Sequence, residues 1–579
     1  MEKNVIVAIV LSLLVLLAWQ QLFVAPQQQQ LQEERARQAE LAGEQTPQTP
    51  EDQPAPAVQP QLPDQSVVPA SDEIQRQPLA NAKEIVVDTP FIHAVLSTQG
   101  GRITSWQLLQ HHDVNGEPVD LISDDAHQRG QYPLEVFTGE TALDQELNLG
   151  LYRSSTSALT LEAGDAPATL TLSYETRSGT LFTKELTFYP DSYRVDMALT
   201  FDDAAYADEA LSIMWGPGLG EDLEETTRFE IGVVTKTSAE EKPLRDAANK
   251  LDGMITHRNI QWTALNRKYF TAAFFAGTPT NTLAVTKVSI PPANDDQDVE
   301  PIRQIMLGLT QPLTAGTCDV AFYAGPKERT KLAQAYDGFE RLIDYGFFGF
   351  IAQPLARFMS YLYSYLNNYG LVIICLTILI KILFYPLTHK SFSSMKKMQD
   401  LQPKMNALRE KYKKDTQKIN QEMMKLYKQE GVNPMGGCLP MVLQIPVFFA
   451  LYQTLSQSIE LRGAAFLWIS DLSAPETLFF RPLVLMMGVS MFLQQSMTPT
   501  AADNKQAQIF KFMPILFTAM FWNFPSGLVL YWFMNNILTI GQQYLIKRSS
   551  HKPSKSSNEQ DEEAPSTSSK ARKRRKKGN

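Results

Sequence analysis

Cysteine is scarce in this sequence, and its distribution excludes a fold held together by disulfides. The three cysteines, Cys318, Cys375 and Cys438, are far apart, and two of them fall in or beside apolar segments. A small secreted domain held by disulfides carries more cysteines at closer spacing. The cysteines do not indicate whether the chain works in an oxidising or a reducing compartment.

The motifs of common nucleotide-using and hydrolytic enzymes are also missing. The chain has no Gly-x-x-x-x-Gly-Lys-[Ser/Thr] loop, no His-Glu-x-x-His and no Gly-x-Ser-x-Gly, which would position phosphates, zinc or a nucleophilic serine. His111, His112 and Asp113 stand together in a polar stretch, where histidines are usually solvated, so they do not predict a metal site. The sequence therefore predicts a protein that is not an enzyme and uses no metal or cofactor.

Charge is segregated along the 579 residues. Residues 81–330 contain 19 Lys and Arg against 36 Asp and Glu, a net charge of −17. Residues 388–431 contain 11 against 5, a net charge of +6, and residues 547–579 contain 11 against 4, a net charge of +7. Because basic segments beside membrane spans remain in the cytoplasm, both basic segments are predicted to be cytoplasmic.

Long apolar runs predict a polytopic α-helical membrane protein with six spans. The first run, in residues 1–26, has no Ala-x-Ala site after it, which favours a signal anchor over a cleaved signal peptide. Five more spans fall in 369–547 and include a polar helical hairpin at 391–430. Six spans place both termini in the cytoplasm and the acidic region outside. Residues 27–80, rich in Gln and Pro, predict a disordered tether, and residues 548–579 predict a basic disordered tail.

Residues 81–330 alternate apolar and polar side chains, as in Leu170, Leu172 and Tyr174. This period of two, interrupted by turn residues, predicts a large extracytoplasmic antiparallel β-sandwich. Residues 340–368 then combine aromatic side chains with few charges. They predict an amphipathic helix at the membrane surface, with a buried connecting helix as the alternative.

Lys381 lies inside the apolar run that begins at residue 369. A lysine at the centre of a membrane helix costs about 2.5–3.5 kcal/mol on insertion scales, so its ammonium needs a wet cavity, a partner or a route to the interface. Thr377 and Thr388 share its helical face, which favours a polar cavity over simple snorkelling. We find no Asp or Glu in the core of another span, so the lysine is predicted to be unpaired in a groove that accepts polar or acidic groups.

The basic hairpin carries a methionine seam that consists of Met395, Met398, Met405 and Met423. Methionine suits adaptable binding surfaces, so the seam predicts a docking surface, with a solvated basic face as the alternative. The basic tail suits ribosomal RNA or anionic lipids.

Several motifs in the second half resemble the YidC family of bacterial membrane-protein insertases, in its Gram-negative form. They are Tyr385-Pro-Leu-Thr, Met398-Gln-Asp-Leu-Gln-Pro-Lys, Asn433-Pro-Met-Gly-Gly-Cys-Leu-Pro, Gln444-Ile-Pro-Val-Phe and Phe524-Pro-Ser-Gly-Leu-Val-Leu-Tyr-Trp. The anchor, the tether and the β domain extend the resemblance over the whole chain. Two residues depart from the family pattern: Lys381 stands where arginine is usual, and Trp532 follows Tyr531 where a second tyrosine is frequent.

The resemblance implies a multi-pass protein of the bacterial inner membrane whose five-helix core forms a positively charged groove. That groove would receive nascent inner-membrane proteins and release their helices into the bilayer, alone or with the general secretion translocase. The implied partners also include the ribosome, the signal-recognition receptor and anionic lipids. The groove residues that it implies are Thr377, Lys381, Cys438, Pro440, Phe448 and Trp532.

Two other functions were weighed. A small-solute transporter or channel would use the same polar spans, but transporters usually contain paired repeats, and we detect no internal repeat. An anchored extracytoplasmic binding module would need one span, which leaves five unexplained.

Overall fold

The computed structural model describes residues 79–549 except for 114, 208, 221–231, 249–253, 277–281, 290–302, 413–414, 433–438 and 498–503. The predicted anchor at 1–26 lies outside the described residues, as do nearly all of the tether and of the tail.

The first half of the described chain is rich in β-strands. Its strands are β1 (Glu84–Asp88), β2 (Ile92–Ser97), β3 (Arg102–His112), β4 (Pro118–Asp120), β5 (Val136–Phe137), β6 (Arg153–Ser154), β7 (Ala158–Thr160), β8 (Ala168–Glu175), β9 (Leu181–Phe188), β10 (Arg194–Phe201), β11 (Ala210–Trp215), β12 (Gly232–Thr237), β13 (Leu244–Ala247), β14 (Ile255–Arg258), β15 (Ile260–Asn266), β16 (Phe270–Ala276), β17 (Thr282–Ser289), β18 (Arg303–Pro312) and β19 (Thr317–Pro326). Two short helices, α1 (Asp124–Arg129) and α2 (Thr141–Leu149), interrupt them.

These strands form three sheets. The largest has the order β13-β12-β15-β16-β19-β10-β9-β8-β6, and the smaller two have the orders β4-β3-β2-β1-β7 and β14-β17-β18-β11-β5. Pairing is antiparallel, as predicted, except that β1 and β7 run parallel, with Val87 opposite Leu159. Parallel neighbours need a long crossover, and here the chain passes through α1 and α2 before β7 reaches the sheet edge.

The three sheets share one apolar core, which gives the domain its sandwich character. Alternation along β10 buries Val195 and Met197 on one face, while the residues between them stay half-exposed. At the centre, the ring of Phe322 lies 5.7 Å from that of Trp106 and 5.8 Å from that of Trp215, so one residue from each sheet meets there. The Trp106 indole N–H donates to the Ala324 carbonyl at 2.9 Å, so its polar atom is satisfied.

The second half is helical. Its helices are α3 (Arg329–Ala335), α4 (Gly349–Leu366), α5 (Tyr369–Asp400), α6 (Gln402–Lys411), α7 (Thr416–Gln429), α8 (Leu439–Ser456), α9 (Pro482–Met497), α10 (Asn504–Met520) and α11 (Ser526–Ser549). Within the described ranges, α5 is the one helix that is long and apolar enough to cross a membrane by itself, and Pro482–Met497 and Phe512–Asn523 are shorter apolar segments. The count of six spans therefore stays a prediction.

Helix α4 has one packed side and one exposed aromatic side. Ala352 and Met359 are buried, and the Thr454 hydroxyl of α8 contacts the Ala352 carbonyl oxygen at 3.2 Å. Phe350 and Tyr361, in contrast, are exposed. The helix thus has one packed and one exposed side, and its place at a membrane surface stays a prediction.

Helix α5 begins at a defined cap and continues further than predicted. The Asn368 side chain accepts a hydrogen bond from the Leu371 N–H at 3.1 Å, and a side chain at Gly370 would collide with the Phe466 ring. The helix continues past residue 391 to Asp400, so the predicted start of the hairpin at 391 is not a helix end, and the boundary of the span stays a prediction. Pro386 lies inside the helix, but residues 387–402 include no proline or glycine that would end it.

Candidate functional site

The side chain of Lys381 turns toward helix α11. Its Nζ donates a hydrogen bond to the Thr539 hydroxyl oxygen at 2.8 Å, and the lysine is only partly buried. Among the described residues, no carboxylate forms an ion pair with it. The ammonium therefore has a neutral hydroxyl as its described partner, and the absence of an acidic partner stays a prediction.

Helix α11 presents a row of polar side chains to three neighbouring helices. Besides Thr539, the hydrogen bonds are Gln444 Nε2 of α8 to the Tyr531 hydroxyl at 2.9 Å, Asn536 Nδ2 to Ser490 Oγ of α9 at 3.0 Å, and Gln542 Nε2 to Thr388 Oγ1 of α5 at 2.6 Å. Side-chain hydrogen bonds of this kind hold membrane helices together at little cost in packing. We call this row the polar seam: Tyr531, Asn536, Thr539 and Gln542.

The two groove aromatics that the resemblance implied do lie together. The rings of Phe448 on α8 and Trp532 on α11 are 4.9 Å apart and nearly perpendicular. Phe521 also lies 5.2 Å from Trp532. Since Phe448 and Trp532 are both half-buried, they form a partly accessible aromatic wall one helical turn or more before the Lys381 level.

Thr377 does not join Lys381. Its side chain is buried, and its hydroxyl donates to the Ile373 carbonyl of its own helix at 2.6 Å. A shared helical face places threonines near a lysine, but the backbone carbonyl four residues earlier competes for the hydroxyl. The grouping of Thr377 with the lysine in one polar cavity is therefore not observed.

Two other predicted groove residues have little or no description. Cys438 lies outside the described residues. Pro440 lies in the first turn of α8, where proline is tolerated because the N–H there has no helical partner, but its side-chain surroundings are not described.

The methionine seam is largely internal to the helical hairpin. Met398 and Met405 are buried with Leu401 and Tyr427 in a small core of the hairpin itself. Met395 and Met423 are half-buried. Only the latter two therefore keep surface for a partner.

His111 belongs to the junction between the β domain and the helices. Its ring lies 5.7 Å from that of Phe270, and the Arg462 guanidinium lies over the same phenylalanine at 5.1 Å. Burial, together with the positive charges of Arg462 and His112, lowers the pKa of His111 to about 4. The histidine is thus a neutral packing residue at pH 7.

The polar seam was only partly anticipated from the sequence. Thr539 and Ser490 were missed because hydroxyl residues are common in membrane helices and carry no charge. A signal was present, since Asn535, Thr539 and Gln542 recur at a spacing that places them on one helical face.

The chain combines a strand-rich domain with apolar helices, and a lysine lies where polar side chains join these helices. This combination defines a class of membrane protein with a large domain outside the bilayer. Residues 84–358 match the family model described as the YidC periplasmic domain, and residues 361–554 match that described as the 60Kd inner membrane protein. The chain belongs to the YidC family of membrane protein insertases.

Named relatives cover nearly the whole chain. The membrane protein insertase YidC of Syntrophus aciditrophicus is 36% identical over 561 residues, which are 95% of this chain and 100% of the relative. That of Citrifermentans bemidjiense is 37% identical over 559 residues, 95% of this chain and 99% of the relative. A crystal structure of an active YidC insertase with its first transmembrane domain resolved is 18% identical, covers 81% of this chain and 93% of that one, and has a TM-score of 0.36.

Proposed function

We propose that this chain is a membrane protein insertase that receives nascent inner-membrane proteins at the polar seam and releases their helices into lipid. The observation that carries the proposal is Lys381, a cation among apolar helices whose described partner is a single neutral hydroxyl. Membrane lysines are retained at a cost, so an unneutralised one marks a functional site. No covalent bond of the substrate needs to be made or broken, so the protein is not an enzyme.

The physical task is to reduce the cost of moving a polar flank into the bilayer. Thr539, Gln542 and Asn536 supply hydrogen-bonding groups, and Lys381 supplies a charge that attracts carboxylates or peptide carbonyls. The following residues of α5, Ile382 and Leu383, are 66% and 71% exposed. A substrate helix that leaves the seam would meet this apolar surface and then lipid.

The topology that goes with this activity has six spans, with both termini in the cytoplasm. The acidic β domain would then lie in the periplasm, and the hairpin, α6 and α7, would face the cytoplasm. The net charge of +6 in residues 388–431 and the net charge of −17 in residues 81–330 support this orientation.

The cytoplasmic basic segments support a proposal about partners. The net charge of +7 in residues 547–579 suits the phosphates of ribosomal RNA and of anionic lipids. Within the methionine seam, the half-buried Met395 and Met423 are the positions that remain for the ribosome, the signal-recognition receptor or the general secretion translocase.

Insertion by the purified full chain in liposomes tests the proposed function. A short two-span substrate should become protected from protease without ATP or another translocase. Photo-crosslinkers at Phe448 and Trp532 should capture a stalled nascent substrate, while one at Leu379, whose side chain is exposed on α5, serves as the control. Silence at Phe448 and Trp532 while Leu379 labels would contradict the site. Uptake of a small solute that Lys381→Ala abolishes would instead support a transporter.

A further inference from the structure

The hydroxyl of Thr539 is oriented to receive a cation. Its Oγ1 donates to the Asn535 carbonyl of its own helix at 2.6 Å, which uses the only proton that a threonine hydroxyl has. The oxygen is therefore left as an acceptor, and Lys381 Nζ lies 2.8 Å from it. Because an ammonium donates and never accepts, Lys381 is the donor and Thr539 is the acceptor in this hydrogen bond.

A second contact of the same design keeps the two helices in register. Gln542 Nε2 donates to the Thr388 hydroxyl at 2.6 Å, and that hydroxyl is itself within hydrogen-bond distance of the Phe384 carbonyl at 3.0 Å. Gln542 follows Thr539, and Thr388 follows Lys381, so α5 and α11 run in the same direction here. The ammonium is thus held at a fixed distance from α11.

Without Thr539 the Lys381 ammonium could take another position. Its flexible stem allows the ammonium to move along the helix toward water, as membrane lysines commonly do. Lys381 is partly buried, and the next residues of α5 are exposed, so the side chain is not confined by packing alone.

We propose that Thr539 is a positioning residue, whose hydroxyl holds the Lys381 ammonium within the seam and leaves its other N–H groups free for an acidic peptide segment. This rests on the proposed function, since the acidic segment would be the translocated flank of a substrate. Thr539 would matter only through the lysine.

Insertion kinetics of the full chain in liposomes test this proposal. The substrate has two spans and an acidic loop between them, and a twin carries Asn and Gln in place of its Asp and Glu. Thr539→Val, which keeps the shape but removes the acceptor, should slow insertion of the acidic substrate by about tenfold, the scale of one hydrogen bond to a charged group. The amide twin should be slowed less, because it does not need the charge.

Matched variants separate positioning from folding. Thr539→Ser keeps the acceptor and should insert at nearly the rate of the unsubstituted protein. Thr518→Val removes a comparable hydroxyl, one that donates to the Pro514 carbonyl on α10 at 2.7 Å, and should also keep that rate. In a Lys381→Ala background, Thr539→Val should cause no further loss. Full activity of Thr539→Val, or an additional loss in that background, would overturn the proposal.

The reactivity of the Lys381 amine gives a readout that does not depend on insertion. A small amine-acylating reagent should modify Lys381 faster in Thr539→Val than in the unsubstituted protein, with the exposed Lys390 of the same helix as the internal standard. An unchanged ratio of the two modification rates would overturn the positioning role. If Lys381→Ala inserts normally while Thr539→Val still changes the ratio of modification rates, the proposed function fails but the hydrogen bond between Lys381 and Thr539 is supported.

Discussion

Two lysines, one in each half of the molecule, differ in how their ammonium groups are bonded and enclosed away from water. Lys184 in the β domain is fully enclosed, and its Nζ donates to the carbonyls of Gly100 and Leu134, both at 2.8 Å. Burial, reinforced by the positive charge of Arg102, lowers its pKa to about 7. Lys381 in the helical half has one described hydroxyl partner and remains partly accessible.

The difference indicates what each cation is for. Near Lys184, Arg102 pairs with Glu135 at 2.8 Å, and both of these side chains are buried. Such enclosed groups hold the strands and loops in one arrangement, since leaving any of them unpaired would be costly. Lys381 keeps unused donors, so its charge remains available to something that binds. Substitution of Lys381 should therefore change insertion, whereas substitution of Lys184 should change stability.

The largest expected effect is on activity, at Lys381. Lys381→Ala should slow insertion of an acidic-flank substrate by about a hundredfold, because a charged hydrogen bond from its ammonium to the substrate, on the order of 1.5–3 kcal/mol, is lost. Thermal unfolding in detergent should change little, because no described carboxylate is left unpaired. Initial rates of protease protection in liposomes measure the first effect, and Lys381→Arg, which keeps the charge, is the control. Equal activity of the alanine and arginine variants would show that insertion does not need the charge of Lys381, and the contrast with Lys184 would fail.

The next effect is on stability, at Lys184. Lys184→Met should lower the free energy of unfolding by about 2 kcal/mol, because the carbonyls of Gly100 and Leu134 lose their donor while a buried charge is also removed. Denaturant unfolding followed by tryptophan fluorescence measures this. Insertion by the folded fraction should stay normal, and a specific loss of insertion would show that the two halves are not separable in this way.

A smaller effect depends on pH and concerns His111. The unfolded chain protonates this histidine near pH 6.5, whereas the folded chain does so only near its lowered pKa of about 4. The unfolded state therefore binds more protons between these values, and stability is lost as the pH falls from about 6.5 toward 4. Because the side chain is partly accessible, we expect a loss of about 1 kcal/mol between pH 7.5 and 5.

The measurement compares two neighbouring histidines. His111→Gln should remove this part of the pH dependence, whereas His112→Gln, which removes only the smallest of the three causes of the lowered pKa, should leave most of it. Unfolding midpoints at both pH values, taken in the same detergent, give the difference. The same pH dependence in all three proteins would mean that His111 is protonated without cost.

The smallest effect concerns the basic residues of the tail. Removal of 550–579 should weaken ribosome binding at low salt and spare insertion, because each neutralised phosphate releases counterions and the contribution fades as salt rises. Binding in detergent at several salt concentrations tests this without lipid. An unchanged affinity and salt dependence would exclude the tail as a ribosome contact.

The sequence predicted the parts of this molecule that depend on local pattern. Period-two alternation predicted the strands, and a lysine in an apolar run indicated a candidate site whose role stays a prediction. The parallel pairing of β1 with β7 was not predictable, because β7 reaches its place beside β1 only after a long crossover in the chain. The partner of Lys381 was missed for the same physical reason, since Thr539 is distant in sequence and its role depends on which carbonyl takes its proton.

Helix α5 connects the site to the hairpin along one helix, which contains Pro386 between Lys381 and its C-terminal end. Its 32 residues correspond to a rod of about 48 Å, and Lys381 lies near the middle. Leu401, in helical backbone geometry, joins this rod directly to α6. A partner that tilts the hairpin would therefore act on the same helix that carries the Lys381 ammonium, without any contact at the polar seam itself.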